Sequence, residues 1–143
     1  MTAFIVKRNL RALRALRGLR GLLASALLLI AGSASAHHSS TMFEQTKQIT
    51  VEGVVKEFQY SNPHSWLLVD VTDKNGKVTT WGFEAEGPST LQRAGIRPSV
   101  FPAGTKVTMT GRPMRDGSPA AIWVLAVRGD GKKYDPRAGF QVK

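Results

Sequence analysis

The chain contains no cysteine, which excludes disulfide bridges, thiolate zinc sites and cysteine nucleophiles together. Acidic residues are missing from the first 43 positions, Glu44 being the earliest. Long apolar runs are also missing: the segment 22–31 is about half of the roughly 20 residues a membrane-spanning helix needs. The sequence has no Gly-x-Ser-x-Gly elbow and no phosphate-binding loop. Asp73-Lys74-Asn75-Gly76 resembles a calcium loop only in part, because an earlier ligand position and the late glutamate are absent. A serine triad would have to use His64 almost by default, and nothing in the sequence positions a serine for it. No catalytic constellation is left, and a binding module is expected rather than an enzyme.

What is present begins with a basic, then apolar leader. Lys7, Arg8, Arg11, Arg14, Arg17 and Arg20 precede the apolar stretch, and Ala34 and Ala36 supply small residues at −3 and −1 of a cleavage site. Residues 1–36 therefore read as a signal peptide for the general secretory route, with a periplasmic destination and no stable membrane anchor after cleavage. The repeated Arg-Ala-Leu and Arg-Gly-Leu triplets also fit an organellar transit peptide, but the apolar core and cleavage site favour secretion. Cleavage leaves 107 residues, enough for one small domain that relies on packing alone. The formal charge of +10 belongs largely to the leader. The remainder carries 14 Lys and Arg against 10 Asp and Glu, a net of +4 that disfavours nucleic acid as a partner.

After a polar arm at 37–48, which Met42 and Phe43 would pin, the pattern turns to β. Ile49 and Val51 alternate with Thr50 and Glu52, and the phase slips around Gly53, leaving Val55 and Phe58 in conflict. A glycine at such a slip suggests a bulge or bend. Strands are predicted at 66–72 and 78–84, joined by an Asn75-Gly76 turn, and at 105–112 and 121–128. A short helix is predicted over 88–95, with proline at its start and glycine at its end. Residues 129–143 are rich in Gly, Lys and Asp and read as a flexible tail. Five strands with one helix between the third and fourth give an all-β fold, a small five-stranded OB-like barrel over 49–128. A small open sandwich or a β-roll is the rival arrangement.

In such a barrel the loops 60–65 and 113–119 flank the usual binding face. Asn62, His64, Arg115 and Asp116 are the ligand-binding candidates there, although Asn-Pro and Asp-Gly are also ordinary turn formers. Trp81 is a further candidate for stacking on a ligand, against the alternative that it fills the core, as tryptophan in apolar strands does. Glu84 and Glu86 share a strand face at i, i+2, a pattern that solvent or lysine ordinarily satisfies. His37, His38 and His64 are the candidate metal ligands, because neutral imidazole suits copper and other divalent transition metals. Cleavage after Ala36 gives His37 a free amine beside its ring, and cleavage one residue earlier puts a histidine third. Either terminus is competent for Cu(II), and His64 would complete a three-nitrogen brace.

Ala36-His37-His38-Ser39, Val51-Glu52-Gly53-Val54-Val55, Asn62-Pro63-His64, Trp81, Gly95, Gly104 and Arg115-Asp116-Gly117-Ser118 follow one another in order. Together they resemble a family of small exported bacterial proteins of unknown function, over nearly all of the chain after the leader. That resemblance implies an exported, single-domain, β-rich protein and assigns no activity, cofactor or catalytic residue. The family pattern has an aromatic residue soon after the histidine pair, whereas here Ser39-Ser40-Thr41 precede Phe43. The expected function is periplasmic binding of a metal ion or small ligand. An envelope-protein interaction module without metal is the alternative, and a copper-dependent histidine-brace oxidase the less favoured one.

Overall fold

The computed structural model describes residues 40–138. The expected leader 1–36, His37, His38 and the end of the expected tail, 139–143, lie outside the described residues. Six strands and one helix follow in order: β1 (Ile49–Gln59), β2 (His64–Thr72), β3 (Val78–Glu86), α1 (Pro88–Arg93), β4 (Lys106–Pro113), β5 (Ala120–Arg128) and β6 (Lys133–Tyr134). Among these residues no helix is long and apolar enough to cross a membrane.

The ladder closes on itself. β1 pairs antiparallel with β4 through its first half and with β2 through its second, Val54 facing both Lys106 and Asp70. β2 pairs antiparallel with β3, β4 with β5, and β3 with β5 in parallel at Gly82, Phe83 and Glu84. The ring β1-β2-β3-β5-β4 is the closed five-stranded barrel expected of an OB-type fold. The parallel β3–β5 seam excludes an open sandwich.

Alternation fills the interior. Ser65, Leu67 and Val69 of β2 and Val107 and Met109 of β4 are buried, while their neighbours are at least partly exposed. The conflicting phase in β1 is resolved by a bulge at Lys56, where the register passes from Val55↔Val69 to Glu57↔Leu68. One extra residue lets both Val55 and Phe58 meet the core. The bulge therefore lies three residues beyond Gly53, where the sequence suggests a bulge or a bend. Gly53 serves a different need: a Cβ there would stand 2.5 Å from the Asp70 carbonyl oxygen and 2.7 Å from Val69 Cγ1. β1 turns from one partner to the other so tightly that only a bare Cα fits.

The helix plugs one barrel end. Its last turn closes with Ile96 N–H donating to Leu91 O (2.8 Å) and Gly95 N–H to Gln92 O (3.1 Å), beside a contact between two fully buried residues, Leu91 and Ile96. Phe101 then packs edge-on against Trp123 (centroids 5.4 Å) and Tyr134 (5.0 Å). Tyr134 also explains why 129–138 is not the loose tail its composition suggests. It carries β6 onto Ala126 and Val127, and Pro136 behind it is fully buried. One aromatic anchor outweighs the surrounding glycine and lysine.

The arm is pinned where expected, by Phe43 rather than by Met42. Phe43 is buried and bridges to Met114, whereas the Met42 side chain is exposed and only its carbonyl engages, accepting from Arg115 N–H (2.9 Å).

Candidate functional site

β2 begins at His64 and β3 runs to Glu86, each two residues past the predicted limit, and the two residues stand opposite one another. His64 is therefore a strand residue, not a loop residue. Because Ser65 and Leu67 point inward, His64, Trp66 and Leu68 share the outer face with Gly82, Glu84 and Glu86 of β3. A Cβ at Gly82 would come within 3.1 Å of Trp66 Cε3, so glycine lets the indole lie flat against β3. The result is a small outward platform with histidine and two carboxylates at one edge.

His64 Nδ1 lies 3.0 Å from Glu84 Oε1. The two partners are unequally exposed, 39% for the imidazole and 10% for the carboxylate. Burial pushes the Glu84 carboxyl above its ordinary value of 4.5; nearby His64 opposes the rise and Glu86 reinforces it. A half-open imidazole thus rests on a nearly buried carboxylate, its Nε2 unengaged by any described residue. Chemically, such a pair can orient the ring, hold a proton on Nδ1 and offer the Nε2 lone pair outward.

The other candidates have different fates. Asn62 is exposed, packs its oxygen against Gly87 and makes no side-chain hydrogen bond among the described residues. Trp81 points inward, stacks on Phe83 with centroids 6.3 Å apart, and packs on the core. Arg115 Nε donates to Phe43 O (3.3 Å), tying the loop to the arm. Asp116 Oδ1 accepts from Ser118 N–H (2.9 Å), and hydrogen bonds from the Ser118 backbone and side chain hold its carboxyl below the usual range.

These residues do not form one cluster. The 113–119 loop follows the end of β4, where Gly111 faces Ile49 at the start of β1, whereas Asn62 and His64 lie beyond the end of β1. About 30 Å of strand contour separates the two groups, at ~3.3 Å per residue. Among the described residues no group of three His, Asp or Glu side chains is arranged to hold a metal. His37 and His38 lie outside those residues.

The partner that sequence reasoning missed is Glu84. Its i, i+2 pairing with Glu86 was legible, but the histidine across the ladder becomes visible only once β2 and β3 are extended and their register is set.

Fold and site together define a small closed OB-type barrel with a histidine–carboxylate pair on its outer wall. The chain belongs to the Family of unknown function (DUF6152), whose model matches residues 25–123. The resemblance to an unknown-function family is borne out. No curated protein and no solved structure matches the chain.

Proposed function

We propose that this is an exported, periplasmic binding module for a divalent transition metal, Cu(II) foremost, with His64 as a ligand. The observation that carries this reading is the His64–Glu84 pair at 3.0 Å. A carboxylate accepting the Nδ1–H fixes the ring's tautomer and orientation and raises the basicity of Nε2, as it does for metal-bound histidines generally. His37, His38 and the free amine left by cleavage after Ala36 are the other nitrogen ligands the sequence offers, on an arm whose anchor, Phe43, sits at the 113–119 loop and not beside His64. The leader supports export, where copper and other metals meet proteins directly.

The test is a copper titration of correctly processed protein, its amino terminus established by intact mass. His64→Ala should weaken binding at least about tenfold, and Glu84→Gln by about 10–100-fold, the range for losing a partner behind a metal-bound histidine. Binding should weaken as pH falls through about 6.5, because protonated imidazole cannot ligate. Equal affinity in wild type and His64→Ala would remove His64 from the site.

A second reading, an envelope-protein interaction module, draws on the outward Trp66 and Leu68. It requires partner recovery that survives chelator and is lost in Trp66→Ala.

A further inference from the structure

A groove of about 390 Å³ lies away from His64, where β1 passes from β4 to β2. Its floor is the row Asp70, Val54, Lys106, in which Val54 is the partner of both others, extended by the Gly129 N–H donating to Lys106 O (2.9 Å). A second row runs through Glu52, Thr108 and Val127. The volume sits near the lower end of those that hold small ligands.

The charges of this groove are balanced but not mutually satisfied. Asp70 is engaged, accepting from Thr80 Oγ1 (2.6 Å) with Lys56 Nζ 3.9 Å away. Glu52 and Lys106, by contrast, make no ion pair or side-chain hydrogen bond among the described residues. Arg128 places one nitrogen, Nη2, 3.4 Å from Asp130, yet its Nε is buried without a partner. The buried Nε is closed to a ligand in the groove; an anionic group there would meet the exposed Lys106 and the partly exposed Arg128 side chain. Val54 presents an exposed apolar side chain between the two kinds of charge.

We propose that this groove binds a small zwitterion of dipeptide size, its carboxylate toward Lys106 and Arg128 and its ammonium toward Glu52. Two cations and two carboxylates leave no net charge to draw in a polyanion or a polycation. They do suit a ligand carrying both signs across an apolar middle. The site is separate from His64 and does not depend on the metal reading.

The experiment is amide chemical-shift titration of the full processed protein with alanyl-leucine. Two blocked relatives accompany it: N-acetyl-alanyl-leucine, without the ammonium, and alanyl-leucinamide, without the carboxylate. Saturable shifts should concentrate at Gly53, Val54, Lys106, Thr108, Val127 and Gly129, and each blocked relative should bind at least about tenfold more weakly. Lys106→Met should remove the preference for the free carboxylate, and Glu52→Gln the preference for the free ammonium. Both residues are exposed, so both variants should keep the wild-type amide spectrum elsewhere. No saturable shift with alanyl-leucine, shifts centred outside the groove, or equal binding of the blocked relatives would overturn the proposal.

Discussion

The two ends of β1 carry similar residue types and use them differently. Where β1 begins, Arg115 and Asp116 are consumed by main-chain groups, one holding the Phe43 carbonyl and the other the Ser118 amide. Where β1 ends, Asn62 makes no side-chain hydrogen bond among the described residues, and His64 is held by one nitrogen only. The difference follows from what each stretch of backbone needs. The 113–119 loop must close a turn and clamp an incoming arm, so its polar side chains satisfy orphan amides and carbonyls. His64 sits in a strand whose main chain is already paired, so its side chain is released for other work.

This contrast can be broken by removing each group in turn. The largest effect belongs to the clamped end: Phe43→Ala should lower unfolding free energy by about 3 kcal/mol, the cost of deleting a buried phenyl ring, measured by urea denaturation. If the loss were negligible, the arm would not be part of the folded unit. Arg115→Ala should cost about 1 kcal/mol, the net value of one partly exposed hydrogen bond, without altering copper affinity. Asn62→Ala, at the other end, should change stability by no more than about 0.5 kcal/mol. A larger loss there would show that Asn62 is structural too.

The smallest effects are pH slopes of opposite sign. The Asp116 carboxyl lies below its usual value in the folded protein, so it contributes stability that is present above the unfolded value of 3.8 and disappears as pH falls through the lowered one. Asp116→Asn should therefore lose ground to wild type as pH rises out of the acid range. The Glu84 carboxyl lies above 4.5, so the folded state binds its proton more tightly, and ionising it costs stability as pH rises through that window. Metal-free Glu84→Gln should gain on wild type over the same rise. Unfolding curves from about pH 3 to pH 8 would separate the two, and slopes of the same sign would sink the distinction.

Much of the barrel was readable beforehand. Leu67 and Val69, or Val107 and Met109, announce an inward face by simple alternation, and the Pro88 start and Gly95 end mark the helix. The alternatives at Gly53, a bulge or a bend, divide between two positions: the bend stands at Gly53 and the bulge at Lys56. A phase slip in sequence says that one residue is extra without saying which. Lys56 is the extra residue only because Val55 and Phe58 must both reach the core. Tyr134 was hidden by its polar surroundings, since its anchoring depends on the buried Phe101 being brought against it, ring centroids 5.0 Å apart. The pairing of His64 with Glu84 could not be read at all, as 20 positions separate them and only ladder register brings them to 3.0 Å.

Local chemistry, written residue by residue, was enough to settle the class of fold, the turn at Asn75-Gly76 and the membership of an unknown-function family, since periodicity, turn propensity and motif order are all properties of neighbours along the chain. Which polar groups are tied up and which stay available was settled by closure of the barrel. Burial, register and the competition of backbone amides for side-chain partners are relations between distant segments, and they come into being only when those segments meet.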